Sequence, residues 1–127
     1  MDSAKPYELT FEILDGFGYA CVSGENDSLA ISNAYWSEIG KYLADAGLKK
    51  VLIVEDIKEQ PPMEDIYCLV RQLESLGFAD VTVAFVDRYS SHQELNDFGV
   101  LVATSSGMTA KAFGDEGEAL EWLHAQK

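Results

Sequence analysis

From Tyr7 the chain alternates, with Tyr7, Leu9, Phe11 and Ile13 apolar and Glu8, Thr10 and Glu12 polar. That is the period of a strand with one wet face. Asp15-Gly16-Phe17-Gly18 supplies turn chemistry, and Tyr19–Gly24 reads as the antiparallel partner of a hairpin. The period then changes. Asp27 or Ser28 can cap a long helix running to Ala46, with Gly47 as its left-handed terminator. Ile31, Tyr35, Ile39, Tyr42 and Ala46 fall on one stripe of that helix. Neighbours along a helix point about 100° apart, so Tyr35 and Trp36 cannot both sit at its centre, and one of the two is expected to be partly exposed.

Three short apolar runs follow, Val51–Val54, Val81–Val86 and Met108–Phe113. Uninterrupted β-branched runs suit strands covered on both faces, and the intervening segments are long enough for crossover helices. Pro61-Pro62 opens the second helix, whose buried face is Ile66, Leu69, Val70, Leu73 and Leu76, and Gly77-Phe78 closes it. Ser91 with Glu94 has the form of a capping box for a third helix carrying Leu95, Phe98 and Val102, although Gly99 lowers its helix propensity. Asp115 with Glu118 repeats the capping pattern before a last helix with Ala119, Leu120 and Leu123 inward. The order is β-β-α-β-α-β-α-β-α, an α/β domain with a mixed, mostly parallel sheet and helices packed on it. The expected organisation is a single domain over 1–127 with a ragged N-terminus at 1–6.

A chain of 127 residues buries roughly two-thirds of its unfolded surface and needs no covalent staple. Its 22 acidic and 9 basic residues leave a formal charge of −13, with no basic patch beyond Lys49-Lys50. Nucleic acid and anionic membrane surfaces are therefore excluded as partners. Cys21 and Cys68 form no ligand pair and read as buried free thiols. No apolar run reaches the length of a membrane span, and the N-terminus lacks a secretory pattern, so the expected location is cytoplasmic.

Candidate chemistry is sparse. Asp56, Asp87 and Arg88 lie at the C-terminal ends of two expected parallel strands, where open α/β sheets bind ligands, but solvated loop charge is the preferred reading, because strand exits in so acidic a chain carry Asp by chance. Glu55, Asp56, Glu59, Glu64 and Asp65 form an acidic cluster read as solubilising and as complementing a helix dipole. His92 and His124 have no arranged partner in sequence and read as surface residues, so neither a metal site nor a cofactor is expected. The serines lack a nucleophile elbow, and Gly16-Phe17-Gly18 falls between antiparallel strands, where a phosphate loop does not.

The N-terminal hairpin followed by three βα crossovers resembles the STAS domain of anti-sigma-factor antagonists, the SpoIIAA-like family. The closing Ala110-Lys111-Ala112-Phe113 strand and Ala119-Leu120-Glu121-Trp122-Leu123 helix are similar to the ends of uncharacterised bacterial SpoIIAA-like proteins. In phospho-switched members an aspartate, an apolar residue and a hydroxyl follow the first central strand, and a serine stretch opens the next helix. Asp56-Ile57 fits that beginning, but Lys58 replaces the hydroxyl and Pro61-Pro62-Met63-Glu64-Asp65 replaces the serine stretch. The resemblance implies the fold and a non-enzymatic protein-binding role without the serine switch. The expected ligand or partner surface is Asp56, Ile57, Lys58, Glu59, Met63, Asp87, Arg88 and Tyr89. Tyr35 and Trp36 are the candidates for self-association into a homodimer. The alternative is a carrier of a small apolar ligand or lipid, with Tyr35, Trp36, Tyr67 and Tyr89 lining a cleft. An enzyme using Asp56, Asp87 and Arg88 is a weaker third reading.

Overall fold

The computed structural model describes residues 5–126. Residues 1–4 of the expected ragged terminus lie outside them. Strands β1 (Glu8–Leu14) and β2 (Phe17–Gly24) form the hairpin. Helix α1 (Leu29–Ala46), strand β3 (Lys50–Ile57), helix α2 (Met63–Gln72), strand β4 (Thr82–Asp87), helix α3 (Gln93–Ser105), strand β5 (Thr109–Phe113) and helix α4 (Glu116–Ala125) follow in the anticipated order. The sheet order is β1-β2-β3-β4-β5, antiparallel only between β1 and β2.

Strand parity divides the interior in two. Ala20, Val22, Val51, Ile53, Ile57 and Val83 face a layer made by α1, α2 and α3. Leu52, Val54, Ala84 and Val86 face α4 through Ala119 and Leu123. Three helices thus share one face, and one helix covers the other.

Helix termini follow the sequence closely. Ser28 caps α1 by accepting from the Ile31 N–H at 3.2 Å, and Gly47 ends it with φ +69°. Asp115 accepts from the Glu118 N–H at 3.1 Å at the start of α4. The buried stripe of α1 differs from expectation. It runs through Ser32, Tyr35, Trp36, Ile39, Gly40 and Leu43, while Tyr42 and Ala46 are exposed. Tyr35 is 1 % and Trp36 7 % exposed, so neither is the partly exposed aromatic that was expected. The stripe is wide because α1 packs on the sheet on one side and against α2 and a 3-10 turn at Leu73–Leu76 on the other. Gly40 is the point of closest approach: a Cβ there would sit 2.0 Å from the Leu76 carbonyl oxygen. Self-association through Tyr35 and Trp36 consequently has no exposed aromatic at either position.

Two further expectations are corrected. Ser91 does not cap α3; a 3-10 turn at Ser90–His92 precedes the helix, because the His92 side chain turns inward to buried oxygens and leaves Ser91 exposed. Cys68 is exposed on the outer side of α2, and Cys21 is only partly buried.

Candidate functional site

Glu55 on β3 and Asp87 on β4 are register partners at the C-terminal ends of their strands. Their odd parity, shared with Val51, Ile53 and Val83, turns both carboxyls toward the three-helix layer. Asp56 has the opposite parity and faces α4. The expected pairing of Asp56 with Asp87 is therefore replaced by Glu55 with Asp87.

Asp87 is a structural anchor. Its Oδ1 accepts from the Tyr89 N–H at 2.9 Å, and its Oδ2 accepts from Asn96 Nδ2 at 2.9 Å and contacts His92 Nδ1 at 3.0 Å. The other ring nitrogen of His92 lies 3.0 Å from the Lys58 carbonyl oxygen. Both nitrogens face oxygens, so the ring ties the exits of β3 and β4 to the start of α3 and offers no free lone pair to a substrate. His92 is buried, against the expectation of a surface residue.

Glu55 belongs to a second network. Tyr35 Oη lies 2.6 Å from Glu55 Oε2 and 3.1 Å from Asp27 Oδ2, while Asp27 Oδ1 accepts from Ser32 Oγ at 2.7 Å and the Ser28 N–H at 2.8 Å. A phenol carries one hydrogen and can donate to only one of the two carboxyls. Both contacts are satisfied together when Glu55 is protonated and donates to Tyr35 Oη, which in turn donates to Asp27. The electrostatics agree. Burial, together with the Asp27 and Asp87 charges, raises Glu55 to a pKa of about 8, by more than a hydrogen bond donated from Tyr35 to the ionised carboxylate would offset. Burial also raises Asp27, against its hydrogen bonds from Ser32, Ser28 and Tyr35. Tyr35, desolvated beside two carboxyls, is held well above the ordinary phenol range. The acidic residue read as solubilising is thus a buried acid holding a proton near neutrality.

This network closes the polar end of an apolar cavity of about 100 Å³ between the sheet and α1, α2 and α3. Trp36 and Phe85 both line it and are stacked on one another with ring centroids 6.3 Å apart. Phe85 and Ala110, on the inward face of β4 and β5, remain partly accessible, so the helices do not seal the sheet. The cavity continues between α2 and α3, which approach closely where Gly99 faces Ile66.

On the opposite face, Tyr19 Oη donates to Glu116 Oε1 at 2.7 Å, and Arg88 Nη2 lies 3.4 Å from Glu116 Oε2. Burial and then the Glu116 bond push Tyr19 up to about 12. Burial likewise raises the Cys21 thiol in spite of Arg88 nearby. Arg88 is thus drawn toward α4, away from Asp87.

Of the residues expected to form one surface, Lys58, Glu59, Met63 and Arg88 are exposed, Asp56 and Tyr89 are partly buried, and Ile57 and Asp87 are in the interior. Ile57 is there because its odd parity places it in the three-helix core. Tyr35 and Trp36 do line the cavity, whereas Tyr67 is on the outer face of α2 and Tyr89 stacks on His92 outside it. Asp27 and Glu55 were not singled out as ligand residues. The available signal was strand parity, which puts an acid in line with Val51 and Ile53. No group of three or more acidic, His or Cys side chains is arranged to hold a metal among the described residues. No helix there is long and apolar enough to cross a membrane.

No protein-family model and no curated protein matches the sequence. Solved structures do resemble the fold. An anti-sigma factor antagonist from Mycobacterium paratuberculosis superimposes with a TM-score of 0.65 at 15 % identity, over 98 % of this chain and 99 % of that one. An uncharacterised DUF3478-family protein with a SpoIIAA-like fold from Shewanella loihica PV-4 gives a TM-score of 0.57 at 16 % identity, over 97 % and 98 % of the two chains. The chain has the SpoIIAA-like fold that its element order implied.

Proposed function

We propose that this chain is a non-enzymatic STAS-type binding domain whose binding element is the cavity beneath α1, α2 and α3, and whose ligand is a small molecule with an apolar body. The observation that carries this reading is the incomplete closure of the three-helix face. Inward sheet positions such as Phe85 and Ala110 would be sealed in a domain that used the layer only as core, yet here they border open space headed by a polar network. A non-enzymatic role is supported by the saturation of Asp87 and His92, the one imidazole and carboxylate pair in the interior of the described residues. Two unpaired cysteines, one of them exposed, suit a reducing compartment such as the cytoplasm.

Native mass spectrometry of the protein isolated from its own cells tests the reading. A retained small mass in the wild type that is lost in Ala110→Leu, which fills the cavity from the sheet side, supports it. An identical apo mass for both contradicts it.

A protein-docking reading has its own support in Met63 and Tyr67, one turn apart on α2 and 50 % and 46 % exposed, beside exposed Lys58 and Glu59. It takes a partner with an apolar patch. A stoichiometric protein retained by the wild type and released by Met63→Glu, with the small mass unchanged, would favour it.

A further inference from the structure

The polar end of the cavity has a definite sign. Asp27 and Glu55 line it, and no Lys, Arg or His does. Glu55 is 7 % exposed and lines the cavity, and among the described residues its side chain makes one hydrogen bond, through Oε2. Next to these carboxyls stand three aromatic side chains. Tyr35 and Trp36 have centroids 6.3 Å apart with their planes 29° from parallel, and Trp36 stacks in turn on Phe85. Carboxylates set among aromatic faces are the recognition elements of an organic ammonium, which gains charge pairing from the first and cation–π attraction from the second. A hydrated metal ion needs a denser oxygen set than this wall supplies. The surroundings act in the same direction, since a net charge of −13 attracts cations to the domain and repels anions.

We infer that the cavity is selective for an amine: an ammonium group seated against Glu55 and Asp27, carried on a short aliphatic or aromatic body lying along Trp36 and Phe85. This rests on the cavity being a binding site. The cavity, open at one side and about 100 Å³ in volume, has room for the head group and its first carbons. The rest of the body extends between α2 and α3. The groups facing Glu55 are Tyr35 from α1, Asp27 from the segment preceding it and Asp87 from β4, with His92 committed to Asp87. An arriving ammonium ion takes the place of the proton that Glu55 shares with Tyr35. Binding at pH 7 therefore releases close to one proton, and affinity rises between pH 6 and pH 8.

Isothermal titration of the full chain with 1-hexylamine, 1-hexanol and hexanoate, in phosphate and in MOPS, tests the inference. The expected result is a one-to-one isotherm for hexylamine at least tenfold tighter than for hexanol, none for hexanoate, and a buffer-dependent enthalpy that reports the released proton. Glu55→Gln should bring hexylamine down to the hexanol level. Asp27→Asn asks the same question should the first variant fail to fold, and Ala110→Leu should abolish both isotherms. Equal affinity for hexanol and hexylamine overturns the amine selectivity while the cavity reading stands. Hexylamine binding that survives in both carboxyl variants is surface association with an acidic protein and overturns it as well. No isotherm with any probe overturns both readings.

Discussion

Replacing Glu55 by Gln should make the protein more stable in neutral and mildly alkaline solution and nearly unchanged in acid. Glu55 titrates near its ordinary 4.5 when unfolded and at about 8 in the fold, chiefly because burial disfavours its charge. Between those values the unfolded chain has released a proton that the native chain keeps, so stability falls as pH rises through the window. At 1.36 kcal/mol for each pH unit the whole window is worth about 5 kcal/mol, reached only above pH 8. Glutamine is near-isosteric and neutral throughout, and its amide N–H can donate to Tyr35 Oη as the protonated carboxyl does. Urea unfolding followed by circular dichroism from pH 5 to pH 8.5 measures the difference. At pH 5 both native proteins are neutral at this position, and the two stabilities should agree within about 1 kcal/mol. The variant should then gain by several kcal/mol toward pH 8.5. Asp27, raised in the same direction, leaves a smaller slope in both. Parallel profiles, with a constant difference at every pH, would refute the view that Glu55 is a buried acid holding its proton.

Tyr35→Phe removes the hydroxyl between Glu55 and Asp27, and urea unfolding at pH 7 should show a loss of about 1–3 kcal/mol; no loss would mean that the network does not stabilise the fold. His92→Leu leaves the Lys58 carbonyl without that partner and Asp87 short of one, and should cost roughly 2–3 kcal/mol in the same assay without changing 1-hexanol affinity, because His92 does not line the cavity. In native buffer an aromatic disulfide reagent should modify one thiol rapidly, Cys68, with Cys21 reacting only on unfolding, since Cys21 is partly buried and its thiol pKa is raised; equal rates for the two would contradict the packing of β2 under α4.

The element order was legible because each boundary carries a local signal: Ser28 and Gly47 for α1, Pro62 for α2, Asp115 for α4, and β-branched runs for the central strands. The α1 stripe was misplaced because period alone gives the angle of a face and not its width, and contact with both the sheet and α2 widened it enough to bury Tyr35 and Trp36 together. His92 was unreadable for a different reason. Its partners, Asp87 and the Lys58 carbonyl, are brought to it by the parallel pairing of β3 and β4, a long-range contact with no trace in local sequence. Glu55 lies between these cases. Its parity with Val51 and Ile53 marks it as inward, but whether an inward acid is a strand-end charge in water or a buried group depends on α1 and the segment before it placing Tyr35 and Asp27 against it.

The claim that the space beneath α1, α2 and α3 is a binding cavity is tested most directly by methyl-resolved NMR during a titration with 1-hexanol. The account predicts saturable shifts, with one common dissociation constant, at the methyls of Ile66, Val70, Val83 and Leu95, which line the cavity, and none at Leu120 and Leu123 on the inner side of α4. Shifts centred on the α4 face, or no saturable shift up to the solubility of the probe, would contradict it.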